Sequence, residues 1–177
     1  MESAGDAMIR QCEPDELDDV CAVVNDAAAA YRGVIAADRW KDPYMAGEEL
    51  RREVNDGVLF WGFFEGGRLL AVMGPQHVSD VALIRHAYTR TAHRGTGAGT
   101  ALLAHVRGQT DRPMLVGTWK AATWAVKFYQ GRGFRLVTAP QKDVLLRRYW
   151  TVPERQIDES VVLADARWFA TSSTAPD

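Results

Sequence analysis

The chain reads as an α+β fold, with a central mixed but mostly antiparallel sheet flanked by helices. Three observations predict it. The first is the order of periodicities: a short strand, two amphipathic helical stretches, then three strands in close succession. The joints between those strands, Gly66-Gly67 and Ser79-Asp80, are too short for anything but antiparallel neighbours. The second is the helix–strand–helix–strand run that follows, whose crossovers are long enough for a parallel pairing. The third is bulk composition. With 177 residues, 47% hydrophobic, the chain can bury the core of one domain.

Each element has its own justification. Met8–Gln11 is the first strand. Pro14, Asp15 and Glu16 open the first helix, since proline suits a first turn and carboxylates suit its positive end. Leu17, Val20, Cys21 and Val24 recur at helical spacing, and the pattern runs on toward Tyr31. A loop carrying Gly33, Asp38, Trp40, Pro43 and Tyr44 leads to a second helix over Glu48–Asp56, stopped at Gly57. Val58–Glu65 and Arg68–Val78 form a hairpin, and Val81–Thr89 is the third antiparallel strand. Beyond a glycine-rich turn come a helix from Thr100 to Val106 and a buried strand over Pro113–Thr118. A helix over Ala121–Tyr129 then ends near Gly131 or Gly133, and Phe134–Val137 is a short strand. The C-terminal part adds a helix over Asp143–Trp150, ended by Pro153, and a closing strand over Ile157–Ala164. Arg167-Trp168-Phe169 is expected to pack back onto the domain or onto a second subunit. Residues 171–177 read as a frayed tail.

The most informative stretch is Arg94-Gly95-Thr96-Gly97-Ala98-Gly99, between a strand and a helix. The first amides of a helix have no partner within it, and the macrodipole adds positive potential there. A Ser, Thr, Asp or Asn cap ordinarily satisfies them. Glycine at this position lets a phosphate approach the backbone directly. The spacing decides which cradle this is. A Rossmann fingerprint counted from Gly95 places Thr100 where its third glycine belongs, and no Gly-Lys-Ser/Thr triplet supplies a P-loop. Arg-x-x-Gly-x-Gly does fit, as Arg94, Gly97 and Gly99. A tight turn with glycines for close packing is the competing explanation.

Farther along, Ala125 leads through Phe128-Tyr129 to Gly133-Phe134. An Arg-x-x-Gly-x-Gly loop before a Leu-Leu helix, followed by an Ala-x-x-Phe-Tyr helix running into Gly-Phe, resembles the GNAT-type N-acetyltransferase superfamily. Two motifs in this order are far more specific than either alone. The resemblance covers about residues 8–137, most strongly 83–137, with a family-specific extension over about 138–170. It implies a GNAT-like fold whose fourth and fifth strands, Val81–Thr89 and Pro113–Thr118, splay apart to admit acetyl-CoA. It also implies that Arg94, Gly95, Thr96, Gly97, Ala98, Gly99 and Thr100 hold the pyrophosphate. The backbone N–H of Thr89 would then polarise the thioester carbonyl. Lys127, with Arg132 and Lys120, is a candidate for the adenosine 3′-phosphate, and His93 would border the phosphates.

Acetyl transfer to nitrogen makes its own demands. The amine must be neutral to attack, although a lysine-like amine has a pKa near ~10.4. A base must take its proton, and the departing sulfur benefits from an acid. Tyr129 stands where many superfamily members keep the tyrosine beside that sulfur. Simple aromatic packing, with the hydroxyl at the surface, is the alternative. The strand glutamate of some members falls near Leu83, so this chain departs from the pattern there. His86 is the nearest titratable substitute, with an unperturbed pKa near ~6.5 that suits a base at neutral pH; the competing reading is that strand alternation turns it away from the cleft, unless a bulge changes the parity. Asp80, His77 or a water-borne base remain open.

The acceptor site is expected from the variable segments: Tyr31, Trp40 and Tyr44 in the first long loop, Gln76 and His77 at a strand end, and Trp119. Their aromatic rings could cage an amine or simply pack. A net charge of −2 gives no electrostatic reason to expect nucleic acid or membrane as partner. No run is apolar enough for a transmembrane helix, and a signal-peptide pattern is lacking, so a cytoplasmic location is expected. Cys12 and Cys21, the 2 cysteines, read as reduced and semi-buried, and the 4 scattered histidines suggest no metal site. A homodimer is conceivable through the C-terminal segment. The expected function is acetyl-CoA-dependent N-acetylation of a primary amine on an unidentified small molecule or peptide. The alternative is a non-catalytic acyl-CoA-binding sensor or assembly module of the same fold.

Overall fold

The computed structural model describes residues 5–172. In chain order its elements are β1 (Met8–Gln11), α1 (Leu17–Ala28), α2 (Gly47–Asn55), β2 (Trp61–Glu65), β3 (Arg68–Val78), β4 (Val81–Thr89) and α3 (Ala98–Gly108). Then come β5 (Met114–Trp119), α4 (Thr123–Gln130), β6 (Arg135–Leu136), α5 (Ala139–Tyr149), α6 (Glu154–Asp158), β7 (Ser160–Ala164) and α7 (Ala166–Ser172). The 7-stranded sheet has the order β1-β2-β3-β4-β5-β7-β6. It is mostly antiparallel. The parallel pairing is β4 with β5, in register from Ala82–Met114 to Ile84–Val116.

Contacts gather into two compact units. One comprises the residues up to Gln76 together with Arg85–Asp111; the other comprises His77–Ile84 and the chain from Arg112 onward. In the first unit, the apolar stripe of α1 (Val20, Val23, Val24) and Leu50 of α2 pack on Phe60, Phe64, Leu69 and Val72. A short 3-10 turn, Pro14–Glu16, precedes α1, and the Glu13 amide donates to the Glu16 carboxylate at 2.8 Å. The second unit has its own core: Val81 and Leu83 of β4, Leu115 of β5, Leu145, Leu146 and Tyr149 of α5, and Val162 of β7.

The β2–β3 hairpin turns at Gly66 and Gly67, both at positive φ (56° and 78°), as a tight turn demands. Its paired ladder begins only at Trp61 with Met73, so Val58–Phe60 is not the strand expected. Pro75 is the reason. It lacks an N–H, so the Leu59 amide can donate to its carbonyl but nothing is returned.

The C-terminal part departs further from expectation. Ile157 does not begin the last strand; it lies in α6, 2% exposed, and β7 starts at Ser160. Pro153 caps that short helix rather than ending α5, which stops at Tyr149. Arg167, Trp168 and Phe169 form part of α7, and both aromatics pack against the second unit's core. Asp165 starts α7 by accepting from the Trp168 amide at 3.3 Å. Residues 171 and 172 are helical rather than frayed, and the rest of the expected tail lies outside the described residues. Among the described residues, no helix is long and apolar enough to cross a membrane.

Candidate active site

The glycine loop is a backbone device. α3 begins at Ala98, earlier than its apolar pattern suggests, and its N-cap is Gly97 at φ 89°, with no capping side chain. Gly95 is likewise left-handed at φ 75°. A Cβ at either position would meet no atom within 4 Å, so glycine serves conformation there and not close packing. The first bond of the helix runs from the Ala101 amide to the Gly97 carbonyl, at 3.0 Å. The helix therefore offers no acceptor to the amides of Ala98 and Gly99.

Side chains around the loop hold it in place. The Thr91 amide donates to the Asp26 carboxylate at 2.6 Å, and the Arg94 guanidinium donates to the Ala27 carbonyl at 3.1 Å, tying the loop to the end of α1. Thr96 donates its hydroxyl to the His93 carbonyl at 2.7 Å. Arg90 is spent on the Leu69 carbonyl at 2.8 Å. Arg94 thus anchors the cradle and leaves the backbone to face an anion.

A second constellation joins β4 to α2 within the same unit. His86 is 8% exposed, and its Nε2 lies in close contact with the Glu53 carboxylate. Phe60 stacks on the imidazole, with centroids 5.4 Å apart and planes at 28°. Burial raises the Glu53 pKa. The hydrogen bond and charge of His86, with the charges of Arg85 and Lys41, outweigh it and hold the carboxyl below its ordinary range. The other ring nitrogen, Nδ1, is buried without a hydrogen-bond partner among the described residues.

Next along the same face of β4 stands Tyr88, its ring 6.1 Å from that of His86. Its hydroxyl hydrogen-bonds with those of Tyr31 and Tyr44, and burial together with these neighbours pushes its pKa well up. Tyr44 also lies 5.6 Å from Tyr31 and 5.7 Å from Trp40, centroid to centroid. Arg32 covers the Trp40 ring at 5.2 Å. Asn25 pins this loop to α1: its amide donates to the Met45 carbonyl at 2.9 Å and its oxygen accepts from the Met45 amide at 2.8 Å.

The structure therefore gathers Tyr31, Trp40, Tyr44 and His86, and not every expected site residue. Gln76 is tied to the Asp56 carbonyl at 2.9 Å and serves the end of α2. His77 and Trp119 belong to the second unit, as do Lys127 and Tyr129. Lys127 is exposed on α4. Tyr129 is 4% exposed. It is wedged edge-on between Phe128 and Phe134, with centroids 5.1 and 5.4 Å away. Thr89 ends β4, half-buried. Leu83, at the family's glutamate position, is fully buried core. His105, readable as a surface residue, is half-buried against Trp61 at 4.4 Å.

Sequence reasoning missed Glu53 and Tyr88. A signal existed for each. Leu50, Glu53 and Val54 share one helix face, which sets a carboxylate in an apolar stripe. Tyr88 lies two residues from His86 on a strand.

Comparison with known proteins agrees with this architecture. Residues 22–147 match the family model described as acetyltransferase (GNAT) domain. No curated protein matches the chain. Among solved structures, the PaiA N-acetyltransferase of Thermoplasma acidophilum, in complex with coenzyme A, superposes with TM-score 0.67 at 14% identity, covering 90% of this chain and 98% of that one. A GNAT-family acetyltransferase of Staphylococcus aureus gives TM-score 0.68 at 14% identity, covering 90% and 98%. The ribosomal-protein-S18-alanine N-acetyltransferase of Escherichia coli gives 0.65 at 15%, covering 90% and 93%. These likenesses establish the fold, and the matched domain spans most of the chain. The chain belongs to the GNAT acetyltransferase family, a family of acyltransferases.

Proposed function

We propose that this protein transfers the acetyl group of acetyl-CoA to a primary amine on a small molecule or peptide, by direct attack in a ternary complex. The observation that carries the reading is the N-terminus of α3, capped by left-handed Gly97 with no side-chain cap hydrogen bond. A pyrophosphate fits such a terminus on both charge and access. The complex of the Thermoplasma relative with coenzyme A supports the same ligand class.

When bound, acetyl-CoA supplies the thioester carbonyl to be attacked and the sulfur that leaves. The chain's residues do the rest. The amides of Ala98 and Gly99 hold phosphate oxygens, and Arg94 keeps the loop in register through Ala27. His86 accepts the proton of the acceptor's ammonium group, directly or through water, and frees the nitrogen lone pair. As the N–C bond forms, the C–S bond breaks and its electron pair passes to sulfur. The resemblance assigns the protonation of that sulfur to Tyr129. The nitrogen sheds its remaining surplus proton, which restores the phenol. Tyr31, Trp40, Tyr44 and Tyr88 offer the acceptor aromatic faces, which attract an ammonium before it is deprotonated.

The test is calorimetric titration with acetyl-CoA and with NAD, followed by thiol release across a panel of primary amines. Acetyl-CoA binding without NAD binding, and thiol release with at least one amine, is expected. Acetyl-CoA binding with no release across the panel would instead favour the acyl-CoA sensor. Tyr129→Phe is expected to cut turnover while leaving acetyl-CoA affinity within about twofold; equal turnover would remove Tyr129 from the chemistry.

A further inference from the structure

Glu53 gives His86 a task that its place on β4 alone does not. We infer that Glu53 is a positioning residue: it fixes the orientation and tautomer of His86, so that Nδ1 is the nitrogen that takes the acceptor's proton. The inference rests on the acetyl-transfer reading and names a residue that neither the GNAT motifs nor the family match assigns.

The geometry is specific. Glu53 projects from the second turn of α2, and its carboxylate engages Nε2 of His86. An ionised carboxylate only accepts hydrogen bonds, so Nε2 carries a proton whether the imidazole is neutral or charged. In the neutral ring the lone pair must then sit on Nδ1. That atom is buried and has no hydrogen-bond partner among the described residues. A buried acceptor left open costs about 1–3 kcal/mol, and this one is filled by the ammonium proton of the amine, directly or through a water.

Other contacts serve the same end. Phe60 stacks on one face of the ring and Tyr88 approaches at 6.1 Å, so rotation about the ring's own axis is restricted. The groups that bear on the pair electrostatically are Arg85 on β4 and Lys41 before α2, both favouring ionised Glu53. Tyr88, with its pKa raised, contributes a neutral hydroxyl. Among the described residues, Glu53 is the carboxylate paired directly with the imidazole.

The proton balance follows. An ammonium proton moves to Nδ1, and the imidazolium so formed faces the Glu53 carboxylate, giving a paired charge in place of a buried lone one. After the acetylated product leaves, Nδ1 returns its proton to solvent. Glu53 is never protonated and touches no substrate atom.

Two readouts on the full-length protein test this. In ¹⁵N-labelled protein, two-bond ¹H–¹⁵N spectra report the tautomer of each histidine. His86 is expected as the Nε2–H form in wild type and as a mixture in Glu53→Gln. An Nδ1–H form in wild type, or the same spectrum in both proteins, would overturn the inference. The second readout is turnover with the most reactive amine of the panel. Glu53→Gln is expected to lower kcat on the order of ten- to a hundredfold with the acetyl-CoA Kd within about twofold, and Glu53→Asp to recover part of the loss. An unchanged kcat in folded Glu53→Gln would make the pair structural and overturn the inference. A wild-type protein that accepts no amine fails the acetyl-transfer reading itself, a result distinct from an active wild type matched by an equally active Glu53→Gln.

Discussion

The start of α3 and the face of β4 are two sites built by opposite means. At α3 the groups proposed to work are backbone amides, and the side chains of Arg94, Thr96 and Asp26 hold the loop in shape. On β4 the groups proposed to work are side chains: His86 with Glu53, and Tyr88 with Tyr31 and Tyr44. A backbone site needs particular φ angles, so it writes a short, contiguous motif into the sequence. A side-chain site is assembled from α1, the loop after it, α2 and β4, and leaves only scattered residues. The lesson is chemical as well. A site made of amides suits a ligand group shared by a whole family, whereas one made of side chains can be exchanged as the acceptor changes.

The largest effect expected from breaking either region lies at the base. His86→Ala should lower kcat by roughly 10²–10⁴-fold while the acetyl-CoA Kd stays within about twofold, measured by thiol release and by calorimetry. The complementary break is Gly97→Val. A β-branched residue at φ 89° costs about 1–3 kcal/mol of strain and pulls the helix start out of line. Acetyl-CoA affinity should fall at least about tenfold, with the aromatic cluster around Tyr88 undisturbed in its fluorescence. If His86→Ala weakened acetyl-CoA binding as much as Gly97→Val does, the division between the two regions would be lost.

A smaller effect sharpens the comparison. Asn25→Ala removes two hydrogen bonds that hold Met45 beside α1, leaves that of the Cys21 thiol to the Met45 carbonyl, and so loosens the loop that delivers Tyr44. Each bond contributes about 0.5–1.5 kcal/mol, so the midpoint of urea unfolding should drop measurably. The KM for the amine should rise several-fold and the acetyl-CoA Kd should not move. A change confined to acetyl-CoA would show that the loop serves the wrong ligand.

These two modes of construction also explain what could be read from the sequence. The β4 boundaries and the hairpin turn at Gly66-Gly67 were legible because alternation and glycine pairs are local signals. Gly95, Gly97 and Gly99 were legible for the same reason. Glu53 was not, because its meaning depends on His86, 33 residues away in sequence. The structural task of Gln76 was hidden for a related reason. A polar residue at a strand end suggests a site, yet its amide satisfies the carbonyl of Asp56 at the end of α2. Ile157 reads as a strand residue because it is β-branched and apolar; Pro153 and the first turn that follows it place it in a helix instead.

The smallest effect separates folding from chemistry, which the comparison requires. The Arg10–Glu16 pair at 2.6 Å contains no residue of either region. The hydrogen bond from Arg10, reinforced by the Glu13 amide, lowers the Glu16 pKa from 4.5 to about 2. A depressed carboxylate stabilises the folded state fully above its unfolded value, and that contribution fades as pH falls from about 4.5 toward about 2. Because both side chains are partly exposed to solvent, screening keeps the loss near roughly 1 kcal/mol, below what the shift alone would convert to. Glu16→Gln should therefore flatten the acid limb of the unfolding midpoint and leave kcat at neutral pH unchanged. Any loss of rate at acid pH that survives in Glu16→Gln then belongs to the chemistry on β4 and not to unfolding of β1. Were that acid loss of rate to disappear with Glu16, the pH dependence of turnover would carry no information about His86.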